Sequence, residues 1–156
     1  MVINAHREKY HPLYWEMAFA VAKQSAATKK QVGALIVTST GMISLGWNGT
    51  PAGMNNTCEH VIDRQSGKLK TNPEVIHAER NAIDKMTLQG ISTRNSILFC
   101  TLSPCFECAK SMYSLGIKAL YVAEYHHCTL GLDLLSCQMD IHYKDERQGY
   151  IRYDAA

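Results

Sequence analysis

Residues 96–108 read Ser-Ile-Leu-Phe-Cys-Thr-Leu-Ser-Pro-Cys-Phe-Glu-Cys, an apolar run that passes directly into residues that initiate helices. The run from Ser96 to Thr101 has the short, apolar character of a buried strand. Ser103 and Pro104 then have the chemistry of a helix N-cap and a first helical residue, so the pattern predicts a helix that ends at Gly116. A strand followed at once by a helix is the repeating unit of an α/β fold.

Predicted strands and helices alternate along the rest of the chain. The strands are predicted over 32–37, 42–47, 96–101, 119–125 and 141–144, and the helices over 11–24, 75–89, 103–116 and 129–140. Helices are marked by apolar side chains that recur every three or four residues, and strands by short apolar runs. The alternation predicts an α/β sheet with helices on both faces. Because no repeat or linker divides the sequence, we expect a single domain over residues 1–156.

The segment from Thr50 to Glu74 contains no predicted helix or strand. It is polar and includes Pro51, Gly53 and Ser66-Gly67, which favour turns. Compact domains rarely contain so long a connection without a use for it. We therefore expect a functional loop, and the sequence assigns no conformation to it or to the tail from Asp145 to Ala156.

The net charge of the chain indicates which classes of molecule it can bind. The 156 residues include 16 Lys and Arg against 14 Asp and Glu, which gives a net charge of +2, and there is no block of five or six like charges. Such a chain has little electrostatic attraction for a polynucleotide or an anionic membrane, so we expect a small-molecule substrate. The uncharged stretch over 31–58 is interrupted by polar residues and is not expected to span a bilayer.

The N-terminal segment and the cysteines indicate a reducing compartment. An acid stands at position 8 and no apolar run of signal-peptide length follows it, so we expect no secretion and a cytoplasmic location. Six cysteines in such a chain favour metal binding or packing over disulfides. Cys100 and Cys137 lie in apolar elements and are expected to be packed.

Two motifs carry chemistry. His77-Ala78-Glu79 lies at the predicted start of one helix, and Pro104-Cys105-Phe106-Glu107-Cys108 at the start of the next. Two thiolates spaced Cys-x-x-Cys, with one imidazole from a neighbouring helix, form a three-ligand set for tetrahedral Zn²⁺. The fourth position stays open, which is typical of catalytic zinc, because water held there ionises near neutral pH.

Glu79 is the candidate catalytic residue. It stands two residues beyond the candidate ligand His77, so it need not share the metal and can act as a general acid and base beside the water. A Cys-x-x-Cys pair alone also occurs in redox sites and structural zinc sites. Those alternatives require no histidine and acid upstream, so the combined pattern favours catalysis.

Together these motifs resemble the zinc-dependent cytidine deaminase superfamily, whose signature is His-x-Glu followed by Pro-Cys-x-x-Cys. More narrowly, the chain is similar to the deoxycytidylate (dCMP) deaminase branch of cells and large bacteriophages. The narrower likeness is carried by the segments 31–34, 46–53, 77–83 and 102–110, together with Cys58-Glu59. It implies a three-layer α-β-α, cytidine-deaminase-like fold with a central mixed sheet of about five strands.

The resemblance also implies an activity and a set of site residues. The reaction is hydrolytic deamination of dCMP to dUMP and ammonia, in which zinc-bound hydroxide attacks C4 and Glu79 protonates N3. The implied ligands of one catalytic Zn²⁺ per chain are His77, Cys105 and Cys108. The implied substrate-binding residues are Asn48, Ala78 through its backbone amide, Ser103, Tyr125 and, for the phosphate, Arg7.

Regulation is implied by the same likeness. Members of the family are commonly hexamers, activated by dCTP with Mg²⁺ and inhibited by dTTP, and would act in the cytoplasm, or the host cytoplasm if phage-encoded. The implied effector residues are Lys29, Lys30, Gly49, Thr50, Pro51, Gly53 and Glu59. For Lys29 and Lys30 the alternative interpretation is a solvated turn between a helix and a strand.

Several alternatives stay open on the sequence. Another zinc deaminase would act on free cytidine, a riboflavin-pathway nucleotide or adenosine in transfer RNA, and a non-catalytic zinc module would fill the fourth metal position with a protein ligand. Cys58-Glu59-His60 is a candidate second metal site, but Ala26-Ala27 stand where some phage relatives place a cysteine pair. His126-His127-Cys128 is not expected to bind a metal, because three consecutive residues do not readily converge on one ion.

Overall fold

A mixed sheet of six strands forms the centre of the computed structural model, which describes residues 4–155. The strands, in chain order, are β1 (Gly33–Val37), β2 (Ile43–Trp47), β3 (Glu59–Asp63), β4 (Lys68–Thr71), β5 (Ile97–Leu102), β6 (Ala119–Glu124), β7 (Asp140–Asp145) and β8 (Gly149–Arg152). The helices are α1 (His11–Ala22), α2 (Ala78–Leu88), α3 (Phe106–Tyr113) and α4 (Leu130–Ser136), and a 3₁₀ turn (Glu8–Tyr10) precedes α1. The sheet order is β2-β1-β5-β6-β7-β8, and β3 and β4 form a separate hairpin.

The direction of the strands follows from their connections. β5, β6 and β7 are parallel, since α3 and α4 return the chain between them. β1 pairs antiparallel with both β2 and β5, and β8 antiparallel with β7. The carboxyl ends of β5 and β6 therefore lie side by side, at the edge where polar residues follow both strands.

Helices cover both faces of the sheet and make three layers. On one face α1 packs over Leu35, Val37 and Phe99. On the other face α2, α3 and α4 pack over alternate residues of the same strands, such as Ile36 and Leu98. All five residues of β1 are buried, as expected for a strand covered on both sides. The predicted α-β-α architecture is confirmed.

The sheet has one strand more than the predicted five. β8 comes from the tail that the sequence analysis left unassigned, and it extends the sheet beyond β7. It follows a turn in which Asp145 Oδ1 accepts hydrogen bonds from the amides of Arg147 and Gln148. Three of its four residues are exposed, so it lacks the apolar run by which the other strands were recognised.

The expectation that residues 50–74 form a loop is wrong for its second half. β3 and β4 pair there, with Val61 opposite Leu69, around a turn in which Asp63 accepts hydrogen bonds from Gln65 and Ser66. Gly67 closes the turn with φ of 69°. Neither strand has a buried residue, so no hydrophobic alternation marks the pair in the sequence.

Two helices start later than predicted. The helix predicted from residue 75 begins at Ala78, because Ile76 exchanges backbone hydrogen bonds with Gly49 and is therefore extended. The helix predicted to be capped by Ser103 is preceded by Cys105 as N-cap. The Ser103 amide instead donates to Glu124 O at 2.8 Å, which continues the pairing of β5 with β6.

Within residues 4–155 the helices are too short or too polar to cross a lipid bilayer.

Candidate active site

Three of the sequence-predicted residues meet at the ends of two helices. His77 is the N-cap of α2 and Cys105 the N-cap of α3, with Cys108 in the first turn of α3. The His77 ring nitrogen Nδ1 lies 3.3 Å from Cys105 Sγ and 3.4 Å from Cys108 Sγ. Within residues 4–155, no other set of three or more His, Cys, Asp or Glu residues brings its ligand atoms this close together.

The spacing of these donor atoms fits tetrahedral zinc. Zinc bonds nitrogen at about 2.0 Å and sulfur at about 2.3 Å, so at a tetrahedral angle the two atoms lie about 3.5 Å apart. The observed distances are close to this value, and all three ligand atoms lie within 4.8 Å of one another. One imidazole and two thiols are ligands that zinc favours, and three protein ligands leave a fourth position for water or substrate.

The surroundings of Cys105 favour the thiolate form that a metal requires. Hydrogen bonds from the Cys108 thiol and the His77 ring lower the pKa of the Cys105 thiol. The N-termini of α2 and α3, which carry partial positive charge, both lie at the His77, Cys105 and Cys108 cluster. The hydrogen bond to Cys105 in turn raises the pKa of His77. The hydrogen bond to Cys105 and burial raise the pKa of the Cys108 thiol, so the cluster holds one thiolate and one thiol before any metal binds.

Glu79 is buried beside this cluster, with 3% of its surface exposed. Burial raises the pKa of its carboxyl to about 7. A group with that pKa exchanges protons readily at neutral pH, which suits a general acid and base. Glu79 lines the same cavity as His77 and Cys105, so its carboxyl has access to whatever enters there.

The position of α2 is set by a close contact with β2. A Cβ built on Gly46 would lie 2.1 Å from the carbonyl oxygen of Ala78 and 2.6 Å from the amide nitrogen of Ala82. Only glycine lets the first turn of α2 approach the strand so closely. Gly46 therefore determines where His77 and Glu79 are presented.

A cavity of about 410 Å³ opens onto the metal-ligand cluster. The sequence-predicted site residues that line it are His77, Ala78, Glu79, Cys105, Asn48, Ser103, Tyr125, Lys29, Lys30 and Glu59. Arg7 is not among the lining residues; it precedes the 3₁₀ turn before α1, and its carbonyl accepts a hydrogen bond from the Tyr10 amide. The structure thus brings the catalytic candidates and most substrate candidates together, and leaves Arg7 outside.

Asn48 and Ser103 hold backbone segments around the cavity. Asn48 Oδ1 accepts a hydrogen bond from the Val32 amide at 2.8 Å, and its Nδ2 donates to Lys30 O at 2.9 Å. Ser103 Oγ accepts a hydrogen bond from the His126 amide at 2.7 Å. Each side chain therefore positions the cavity wall in addition to lining it.

The predicted effector residues separate into two groups. Lys29, Lys30 and Glu59 line the cavity. Lys30 forms an ion pair with Glu124 across it at 2.5 Å, and the Glu59 carboxylate accepts hydrogen bonds from the amides of Thr28 and Lys29. Gly49, Thr50, Pro51 and Gly53 lie in the loop that precedes β3 and do not line it.

Some lining residues were not predicted as site residues from the sequence. They are Val32, Thr71, Val75, Leu102, Glu124, His126 and His127. His126 and His127 follow Tyr125 directly, and their rings lie 3.9 Å apart between centroids. Their position just past the end of β6, beside the predicted residue Tyr125, is a sequence signal that could have identified them.

The candidate second metal site does not assemble its ligands. Cys58 is buried with 2% of its surface exposed, and burial raises the pKa of its thiol. The His60 ring hydrogen-bonds Asn72 Oδ1, and the Glu59 carboxylate is directed to residues 28 and 29. The three side chains therefore have separate partners.

The sequence and the structure are similar to known deaminases. Residues 8–124 match the family described as the cytidine and deoxycytidylate deaminase zinc-binding region. The deoxycytidylate deaminase of Schizosaccharomyces pombe is 32% identical over 129 residues, which is 79% of this chain and 40% of that one. The human deoxycytidylate deaminase is 33% identical over 117 residues, 73% of this chain and 65% of that one. The chain thus spans less than two thirds of each of these two relatives.

A solved structure matches over nearly its full length. The dCMP deaminase of cyanophage S-TIM5, crystallised with dCMP and dUMP, superposes with a TM-score of 0.78 at 34% identity. The match covers 88% of this chain and 98% of that one. The His-Cys-Cys cluster reported above lies within the region that the family match describes as zinc-binding.

Proposed function

Because the chain belongs to the cytidine and deoxycytidylate deaminase family, we propose that it hydrolyses dCMP to dUMP and ammonia. The observation that carries the proposal is the buried Glu79 in one cavity with His77 and Cys105, at the mouth of a three-ligand zinc site. A zinc ion, when bound, lowers the pKa of water towards neutrality and so supplies a nucleophile. His77, Cys105 and Cys108 would hold that ion.

Glu79 moves the protons of the reaction. Its carboxylate takes a proton from the attacking water and delivers it to N3 of the pyrimidine, and a second transfer converts the amino group at C4 into ammonia. One water enters and one ammonia leaves, so the residue ends in the state in which it began. Burial, which raises its pKa to about 7, keeps both protonation states accessible near neutral pH.

The remaining cavity residues bind and orient the nucleotide. The Ala78 amide is one of the first four in α2, so it has no partner within the helix and is free to donate to the pyrimidine carbonyl. Tyr125 supplies an aromatic wall, and Asn48 and Ser103 hold the segments on either side.

Regulation and assembly form a second part of the proposal. Lys29 and Lys30 are exposed and lie at the rim, where they suit the triphosphate of dCTP with Mg²⁺ or of dTTP. The assembly we propose is a homo-hexamer in the cytoplasm, a reducing compartment that suits thiolate ligands. We expect sigmoidal dCMP kinetics that become hyperbolic with dCTP, while kinetics unmoved by either triphosphate would reject the regulation.

One assay tests the activity. Ammonia release is measured with dCMP, CMP, deoxycytidine and cytosine, each with and without dCTP. The proposal predicts dCMP as the preferred substrate. Preference for free deoxycytidine, or no ammonia from any of the four, would contradict it and favour another deaminase or a non-catalytic zinc module.

A further inference from the structure

The C-terminal residues from 130 to 155 lie beyond the family match, which ends at residue 124, yet they contact the cavity wall. Tyr125 lines the cavity directly after β6, and 44% of its surface is exposed. Its ring stacks on that of Tyr143 in β7, with centroids 4.7 Å apart and planes 20° apart. The ring of Tyr153, just after β8, contacts the Tyr125 ring edge-on, with centroids 6.0 Å apart.

The two supporting tyrosines are themselves anchored. The Tyr153 hydroxyl donates to Asp133 Oδ1 in α4 at 2.5 Å, and its amide donates to Ile141 O at 2.8 Å. Tyr143 and Tyr153 both pack against the core beneath α2, α3 and α4. The aromatic group therefore rests on the rigid part of the fold and gives Tyr125 a fixed ring plane.

The same C-terminal segment also contacts the metal-ligand loop. A Cβ built on Gly131 of α4 would lie 2.7 Å from Pro104 O and 3.1 Å from Cys105 O. α4 thus touches the loop that holds a candidate zinc ligand, and through Asp133 it holds Tyr153. Residues beyond the matched region support two walls of one cavity.

We propose that Tyr143 and Tyr153 are positioning residues for nucleotide binding, which act by holding the ring of Tyr125 against the cavity. This inference rests on the proposed function, since the nucleotide is the ligand that Tyr125 would contact. Ground-state binding depends on the placement of this wall, whereas the proton transfers of Glu79 take place elsewhere in the cavity. Loss of the support therefore raises KM for dCMP and leaves kcat nearly unchanged.

The test compares Tyr143→Leu and Tyr153→Leu with Tyr143→Phe and Tyr150→Phe. Removing an aromatic partner is expected to raise KM about 3- to 10-fold, with kcat within about 2-fold. Tyr143→Phe keeps the stacked ring and is expected to restore KM. Tyr150 lies in β8, between the two supporting tyrosines in sequence, but hydrogen-bonds Trp15 and His11 on the other face of the sheet. Tyr150→Phe therefore removes the hydrogen bonds that join β8 to α1 without touching Tyr125, and its KM is expected to stay unchanged.

A second readout needs no turnover. In protein labelled with 3-fluorotyrosine, the ¹⁹F resonance of Tyr125, assigned with Tyr125→Phe, is expected to shift in Tyr143→Leu and Tyr153→Leu and to stay in place in Tyr150→Phe. An unmoved resonance, a KM unchanged in both leucine variants, or an equal rise in Tyr150→Phe would overturn the inference. If the wild type releases no ammonia from dCMP, the proposed function fails, and the ¹⁹F comparison still decides whether the segment holds Tyr125.

Discussion

Glu79 is the single residue on which turnover is expected to depend. We predict that Glu79→Gln keeps about one zinc per chain and lowers kcat by about 10²- to 10⁴-fold, because an amide keeps the shape of the side chain and cannot carry protons. Steady-state kinetics and metal analysis check both parts. The matched control is Glu107→Gln, an exposed glutamate in the first turn of α3 that does not line the cavity. Normal turnover by Glu79→Gln would refute the assignment.

His11 is expected to make stability fall in mildly acidic solution. It is 3% exposed, its Nε2 donates to His6 O, and its Nδ1 accepts from the Tyr150 hydroxyl, which in turn accepts from Trp15. Burial lowers the pKa of His11 below its ordinary value of 6.5 in the folded protein. The unfolded chain therefore binds a proton first as the pH falls, so this contribution is complete above pH 6.5 and is lost below it.

Urea unfolding at a series of pH values tests this expectation. The free energy of unfolding by which the wild type exceeds His11→Gln should be largest at about pH 7.5 and should shrink towards about pH 5. Glu79 and His77, whose pKa values are raised, give slopes of the opposite sign in both proteins and cancel in this difference. Burial also lowers the pKa of His142, so the variant removes only part of the slope. An unchanged slope in His11→Gln would contradict the assignment.

At the scale of elements, the contact between β2 and α2 controls the presentation of the site. We predict that Gly46→Ala lowers the free energy of unfolding by about 1–3 kcal/mol and lowers activity, because the added methyl group would push the first turn of α2 away from the strand. Urea unfolding and dCMP kinetics measure the two effects. Gly49→Ala is the control, since its nearest neighbour would be Asn56 Oδ1 at 3.9 Å. Equal stability of the two variants would refute the packing argument.

The elements themselves were largely predictable. Each of the four helices and five of the six sheet strands has an apolar pattern on at least one buried face, and that local signal predicts the element. The first residues of two helices were less predictable. Ile76 is held extended by hydrogen bonds with Gly49, and Ser103 by a hydrogen bond to Glu124, and both partners are distant in sequence. Ser103-Pro104 favours the start of a helix, but the hydrogen bond from the Ser103 amide to Glu124 O keeps this segment extended, and α3 begins at Phe106.

At the scale of the whole molecule, zinc is expected to stabilise the fold. Its candidate ligands lie at the starts of α2 and α3, so binding would link two elements, and a ligand that binds only the native state raises stability by mass action. We predict that a chelator lowers the Tm of the wild type by about 5 °C or more. His77→Ala, which lacks a ligand, should already have the lower Tm and not respond. Metal analysis of the wild type should give one zinc per chain, and two would contradict a single site.

The sequence by itself determined the layers of the fold and predicted the candidate zinc ligands and the candidate catalytic glutamate. These depend on local patterns: apolar periodicity within an element, and fixed spacing within His77-Ala78-Glu79 and Cys105-Phe106-Glu107-Cys108. Such patterns are readable because the interacting residues lie within a few positions of one another.

Only the tertiary structure decided what surrounds the His77, Glu79, Cys105 and Cys108 side chains. In the structure β8 pairs with β7, and β3 pairs with β4 although neither strand has a buried residue. Arg7 lies outside the cavity, and the Tyr125 ring stacks on that of Tyr143. Each of these features depends on contacts between residues distant in sequence, or on exposed strands without a hydrophobic signal. No local pattern records such contacts, because their free energy arises only when the packed chain brings the partners together.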